Sequence, residues 1–166
     1  MSFILNKATF QNSLATLPLV TYQSGETVIA DGSRTGRLLI LSKGTVAIVK
    51  EGTEIAKVAE PGAVFGELSV LLDQPHAADV RALETSEFHV ADATALLTQD
   101  PIAVLYIATM LAQRLNGANR ALIQLKHQLL TGEPPDVVAK TVSKMEGLLV
   151  SSASLMYAGS PHDPYA

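Results

Sequence analysis

The chain has 166 residues, no cysteine and a formal net charge of −4 from 12 basic and 16 acidic residues. This length is typical of one domain with appendages, while the lack of cysteine excludes disulfides and thiolate metal sites. The acidic balance argues against broad nucleic-acid binding. The N-terminus lacks a signal-peptide pattern, and the most apolar long run, 101–112, is too short to span a bilayer. A soluble, cytoplasmic protein is therefore expected.

Residues 20–60 alternate short apolar runs with turn residues. The runs "LVTY", "TVIA", "RLLIL", "TVAIVK" and "EIAKVA" are rich in Val and Ile, and each is bounded by a segment that contains glycine. Such runs predict short strands joined by tight turns. A series of short strands favours a sandwich or a rolled barrel over a parallel sheet.

The second half of the chain is predicted to be largely helical. Residues 66–72 predict one helical turn, and "DVRAL" and "SEFHV" predict two more strands. "ATALLTQ" predicts a short helix, and a long helix is expected from 101 to about 130. Asp100 is its N-cap and Pro101 lies in its first turn. "DVVAKTVSKMEGLLV" predicts one more helix, and 151–166 an irregular tail.

The long helix carries a leucine-rich seam with spacings of four, three, four, three and four. Its members are Leu111, Leu115, Ala118, Leu122, Leu125 and Leu129. Such a heptad pattern has two interpretations, and the sequence leaves both open. The seam packs on the domain's own barrel, or it pairs with a second copy of the chain.

Residues 22–90 resemble a cyclic nucleotide-binding domain, and the resemblance extends through residue 130, because four segments occur in the family's order. "YQSGETVIADGS" is similar to the family's opening hairpin, and "GRLLILSKGTVAIV" to its paired strands around a turn glycine. "PGAVFGELSVL" resembles the start of its phosphate-binding cassette, and "RLNGANRAL" lies where its C-helix runs. The resemblance implies a mainly β fold with helices: a double-stranded β-helix, or jelly-roll-like barrel, followed by a long C-terminal helix.

The resemblance also implies a domain organisation. Residues 1–130 form the cyclic nucleotide-binding domain, with the barrel at about 18–90. The cassette spans 62–80 and the C-helix 101–130. Residues 131–166 remain as a C-terminal helix and tail of unknown role.

The cassette has a physical logic of its own. Gly66 allows the backbone to approach a ligand, and the N–H groups near Glu67 and Leu68 can cradle an anion. Glu67 is the natural acceptor for a ribose 2′-hydroxyl, although an exposed acid that caps a helix is the alternative. The ligand-binding residues implied by the resemblance are Gly66, Glu67, Leu68, Ser69, His76, Ala77, Ala78, Arg114 and Asn119.

His76 departs from the family pattern because it stands where the family has a phosphate-binding arginine. Arginine donates two charge-assisted hydrogen bonds to a phosphate, whereas imidazole offers one donor and is charged only below about pH 6.5. Three interpretations stay open: a weakened but working ligand, a degenerate site, or a site for another anion or an altered nucleotide. Asp79 stands where Thr or Ser is usual, and the sequence does not settle whether its side chain faces His76. Arg81 is a conceivable substitute donor to the phosphate.

Four further positions bear on ligand contacts. Family members that prefer cyclic GMP often have Thr or Ser after the arginine, so Ala77 favours cyclic AMP. Arg114 matches an arginine that orders the cassette glutamate, although an exposed arginine is the alternative. Ala118 has lost a hydroxyl that touches adenine in some members. Asn119, beside it, can hydrogen-bond adenine.

The expected function is a stand-alone cyclic nucleotide sensor, for cyclic AMP, that signals through a protein partner or a homodimer of the 101–130 helix. The alternative is a degenerate fold that binds no nucleotide and acts as an interaction or dimerisation module. No catalytic motif, paired histidines or phosphate-loop motif is found, so no enzyme, metal or cofactor is expected. Only 36 residues follow residue 130, so no DNA-binding domain is expected. The shortness of the apolar run 101–112 leads to the expectation of no membrane association.

Overall fold

The computed structural model describes residues 7–150, which form two antiparallel sheets and a set of helices. The helices are α1 (Lys7–Leu14), α2 (Glu67–Leu71), α3 (Ala93–Gln99), α4 (Pro101–Thr131) and α5 (Pro135–Val150). The strands are β1 (Leu19–Tyr22), β2 (Thr27–Ile29), β3 (Arg37–Lys43), β4 (Val46–Lys50), β5 (Thr53–Val58), β6 (Val64–Phe65), β7 (Asp79–Ala82) and β8 (Ser86–Asp92).

The two four-stranded sheets have the orders β1-β8-β3-β6 and β2-β7-β4-β5, and every pairing is antiparallel. Their inner faces enclose a core that includes Leu41, Ile48, Val80 and Phe88. The described strands confirm the predicted jelly-roll-like architecture. No ladder joins the two sheets within residues 7–150, so the roll is open rather than a closed barrel.

A second core lies on the outer face of the first sheet, where α1, α3 and α4 pack. Phe10 of α1 is fully buried and stacks on Tyr106 of α4, with ring centroids 3.9 Å apart. Tyr106 Oη donates a hydrogen bond to Gly62 O at 3.3 Å, at the turn that leads into the cassette. Neither α1 nor the two-residue strand β6 was predicted. Both are too short for a periodic pattern to be evident.

The predicted helix start at residue 100 is confirmed in detail. Asp100 Oδ1 accepts hydrogen bonds from the N–H groups of Ile102 (2.9 Å) and Ala103 (3.0 Å), and Pro101 occupies the first turn. α4 then runs for 31 residues and ends at Thr131, with Gly132 as its C-cap. These local signals fix where the longest helix begins.

The predicted helix after residue 135 is also confirmed, and it folds back on α4. Thr141 Oγ1 donates a 2.8 Å hydrogen bond to Gln128 Oε1, and both side chains are buried. α5 also contacts β5, an edge strand of the second sheet, and so covers part of that edge. The predicted tail, 151–166, lies outside the described residues.

The leucine seam of α4 divides between two environments. Leu111 packs against the core and Ala118 is buried, as expected for a stripe on the protein's own fold. Leu115, Leu122 and Leu129 are 63%, 53% and 64% exposed. Among the described helices, none alone is long and apolar enough to cross a membrane. Only α3 and α4 taken together reach that length and composition, and they are bent by 103° where they join.

Gly44, at the turn between β3 and β4, is expected to tolerate no side chain. Its φ is +102°, and a Cβ there would meet the Ser86 side chain and lie 2.6 Å from Ser86 Cα. We expect Gly44→Ala to lower the free energy of unfolding by about 2 kcal/mol, since left-handed strain and a backbone clash add. Gly52→Ala is the matched control because Gly52 has φ +76° but open space around it, and about 1 kcal/mol is expected there. Equal losses in urea denaturation would contradict the proposed clash.

Candidate functional site

A cavity of about 70 Å³ lies beside the turn from β6 into α2. Seven of the predicted site residues line it, namely Gly66, Glu67, Leu68, Ser69, His76, Ala77 and Ala78. The cavity is also lined by residues that were not predicted, namely Ile29, Ile48, Val64, Phe65, Gln74, Pro75 and Val80. Most of these are apolar strand residues. Alternation along the strands shows that such residues face inward, but not that they face a cavity.

Gly66 is required at the entrance to α2 for two reasons. Its φ is +93°, in the left-handed region that side chains disfavour. A Cβ on Gly66 would lie 2.6 Å from Arg37 O and 3.4 Å from His76 Cε1. The close approach of β3 and of the His76 ring therefore leaves room only for glycine.

Glu67 and Arg114 form a buried ion pair at the edge of the cavity. Arg114 Nη1 lies 2.5 Å from Glu67 Oε1, and each side chain is only 7% exposed. Arg114 Nε also donates a 3.1 Å hydrogen bond to Leu148 O in α5. Burial raises the pKa of Glu67, while the positive charge of Arg114 opposes that rise. The expected pair is present, and the alternatives of an exposed acid and an exposed arginine are wrong.

His76 is buried, with 6% exposure, and its ring contacts the loop before β3. His76 Nε2 lies 3.1 Å from Thr35 Oγ1, and that hydroxyl accepts a 3.3 Å hydrogen bond from Arg37 N–H. The backbone N–H of His76 donates to Ser33 O at 2.9 Å. Burial lowers the pKa of His76, so the ring is neutral near pH 7. The role of Thr35 was not predicted, and the sequence carries no signal for it.

Asp79 and Arg81 form a cluster that lies away from the cavity lining. The Asp79 carboxylate accepts hydrogen bonds from Asp31 N–H at 2.7 Å and from Arg81 Nη2 at 2.8 Å. The hydrogen bond from the Asp31 backbone and that from Arg81 lower the pKa of Asp79. Neither side chain lines the cavity, so Asp79 does not face His76 and Arg81 does not replace the missing arginine. No lining residue carries a permanent positive charge.

Asn119 is separate from the cavity in this structure. It lies on an exposed position of α4 and is not among the lining residues. A contact between Asn119 and a bound base therefore requires α4 to move or a second chain to approach. Among residues 7–150, no group of three His, Asp or Glu side chains could hold a metal ion.

A family model for the cyclic nucleotide-binding domain matches residues 19–99, which include the cavity and every lining residue. Residues 19–99 form a cyclic nucleotide-binding domain. Gly66, Glu67 and His76 all lie within the matched range and line the cavity of this cyclic nucleotide-binding domain. Members of this family are generally regulatory rather than catalytic.

Curated relatives of the domain come from mycobacteria. An uncharacterized ABC transporter ATP-binding protein of Mycobacterium tuberculosis (strain H37Rv) is 32% identical over 118 residues, which are 69% of this chain and 31% of the relative. Another from the same strain is 39% identical over 67 residues, 38% of this chain and 20% of the relative. The chain thus spans less than a third of the length of these relatives.

Two solved structures share the fold of the cyclic nucleotide-binding domain. The catabolite activator protein of Thermus thermophilus is 21% identical with a TM-score of 0.57, over 93% of this chain and 82% of that one. A protein of a cyclic-GMP-dependent pathway that regulates bacterial phytopathogenesis is 18% identical with a TM-score of 0.57, over 67% of this chain and 95% of that one. At these identities the likeness concerns the fold alone.

Proposed function

We propose that this protein is a regulatory, non-catalytic cyclic nucleotide sensor that binds cyclic AMP in the cavity beside Gly66. The observation that carries the proposal is the turn at Gly66, which places Gly66, Leu68 and the buried Glu67 together in the cavity lining. The backbone N–H groups near Glu67 and Leu68 receive the cyclic phosphate. Glu67 accepts the ribose 2′-hydroxyl, and Ala77, which has no hydroxyl, favours adenine over guanine.

The cavity must enlarge for this function. Its volume of about 70 Å³ is well below the roughly 300–1,000 Å³ of ordinary ligand sites. The protein therefore needs an open state that the ligand selects, and a ligand shifts the equilibrium only by its differential affinity for the two states. In the bound state α4 closes over the base as a lid, which would bring Asn119 to the adenine.

Cyclic AMP binding is expected to be tighter at pH 6 than at pH 8. Burial holds the pKa of His76 below its usual 6.5 in the free protein, and a nearby phosphate raises it. Between those two pKa values binding takes up a proton, so affinity falls as pH rises through this window. Titration calorimetry with cyclic AMP and cyclic GMP at both pH values tests this. The absence of binding heat with both nucleotides at both pH values would overturn the proposed function.

One observation favours a second candidate function, a degenerate domain that acts as an interaction module without ligand. The cavity lining has no permanent positive charge, and His76 is neutral and already bonded to Thr35. An anion would thus meet only backbone donors and a neutral ring. The same calorimetry discriminates between the two candidates, because the interaction module gives no heat with either nucleotide.

Two observations bear on the partner to which this protein passes its signal. Leu115, Leu122 and Leu129 repeat every seven residues on an exposed face of α4, which suits pairing with a second copy. The curated relatives carry the name of ABC transporter ATP-binding proteins, and the matched domain is a minor part of each. An ATP-binding subunit of such a transporter, in the cytoplasm, is therefore the proposed protein partner.

A further inference from the structure

One side chain ties α5 to the cassette. Leu148 lies in the C-terminal part of the described range of α5, and its side chain is buried. Arg114 Nε donates a 3.1 Å hydrogen bond to Leu148 O. Arg114 therefore fixes this part of α5 to α4.

The same guanidinium holds the cavity wall. Arg114 Nη1 pairs with Glu67 Oε1, and the three residues Glu67, Arg114 and Leu148 are all buried. The middle of α5 is anchored separately, by the buried hydrogen bond between Thr141 and Gln128. A continuous buried connection thus runs from the cavity through Arg114 to α5. The part of α5 around Leu148 can loosen without loss of the anchor at Thr141.

Ligand entry must act on this connection. The cavity is too small for a nucleotide, and Glu67, one of its walls, is fixed to Arg114. If Glu67 moves to admit and bind a ribose, Arg114 must follow it or release it. The guanidinium offers its donors in fixed directions, so movement of Nη1 with Glu67 strains the 3.1 Å hydrogen bond from Nε to Leu148 O.

We propose that α5 is an inhibitory arm: its docked end holds the cavity closed, and cyclic nucleotide binding releases it. This inference rests on the proposed function. Coupling between two sites is reciprocal, so α5 docking weakens cyclic AMP binding by the same factor by which cyclic AMP weakens docking. The released end of α5 is then the element that signals to a partner.

The first test weakens docking in the full chain without a change in the cavity. Leu148→Ala keeps the carbonyl but removes a buried side chain from the docked end, and cyclic AMP affinity is expected to rise about five- to 150-fold. Val142→Ala is the control because Val142 is an exposed position on the same helix, and no change is expected there. Unchanged or weaker binding by Leu148→Ala would overturn the inhibitory arm. Thr141→Val, which breaks the second anchor, is expected to act in the same direction.

The second test reads α5 directly by hydrogen exchange of the amides of residues 142–147, which lie between the Thr141 anchor and Leu148. Saturating cyclic AMP is expected to speed their exchange in the wild-type chain by about five- to 150-fold, the same coupling factor. Glu67→Gln is expected to speed it without any ligand, because Arg114 loses its charged partner. Slower or unchanged exchange both in the wild type with cyclic AMP and in Glu67→Gln without ligand would contradict the coupling.

These outcomes separate the inference from the proposed function. If the wild type and Leu148→Ala bind cyclic AMP equally well, the inhibitory arm is wrong and the sensor stands. If neither binds cyclic AMP at pH 6, and His76→Arg does not bind it either, the proposed function is wrong and the release of α5 by nucleotide falls with it. The ligand-free exchange of Glu67→Gln then still reports whether the cavity wall and α5 are mechanically linked.

Discussion

Replacement of Arg114 by methionine is expected to lower the free energy of unfolding by about 3–5 kcal/mol, because it leaves the buried carboxylate of Glu67 without its charged partner. The loss includes the hydrogen bond to Leu148 O, so α5 should detach before the two sheets unfold. Urea denaturation followed by circular dichroism measures the total loss. Hydrogen exchange of α5 shows which part opens first.

Two further variants make this prediction specific. Arg120→Met is the matched control, since Arg120 is exposed on the same helix, and a change within about 0.5 kcal/mol is expected. The double variant Glu67→Met with Arg114→Met should recover most of the stability, because a buried pair replaced on both sides by apolar groups leaves no unpaired charge. If Arg114→Met lowers the free energy of unfolding no more than Arg120→Met does, the ion pair of Glu67 and Arg114 contributes little to stability. The coupling to α5 then loses its basis.

His76→Arg is expected to strengthen cyclic AMP binding by roughly tenfold to several hundredfold. A neutral imidazole offers the phosphate one hydrogen bond at most, whereas arginine offers two charge-assisted bonds, and each such bond contributes about 1.5–3 kcal/mol. The gain should be largest at pH 8, where His76 is fully neutral, and calorimetry at pH 6 and pH 8 measures it. The variant should also lose the pH dependence, because arginine stays charged throughout.

The control for His76→Arg is His127→Arg on the exposed surface of α4, which adds the same charge far from the cavity lining. It tests whether added positive charge alone attracts the nucleotide. If His76→Arg binds no more tightly than the wild type, the cavity does not present a phosphate to position 76. The interaction-module interpretation would then be favoured.

The sequence by itself determined the elements whose causes are local. The glycine-bounded runs of Val and Ile predicted the strands, and Asp100 followed by Pro101 predicted the start of α4 to the residue. The sharp turn at Gly66 was also predicted locally, whereas the cassette itself was implied only by the family resemblance. Each of these signals acts within a few residues, where backbone preferences and capping decide the structure.

The tertiary structure decided what depends on contacts between distant segments. Glu67 meets Arg114 across 47 positions and His76 meets Thr35 across 41, and neither partner was fixed by local pattern. The sequence predicted α5 but not that the carbonyl of Leu148 would bind Arg114. It also left open which leucines of α4 are covered. Burial, charge pairing and the size of the cavity emerge only when separate elements pack together, so no local propensity could determine them.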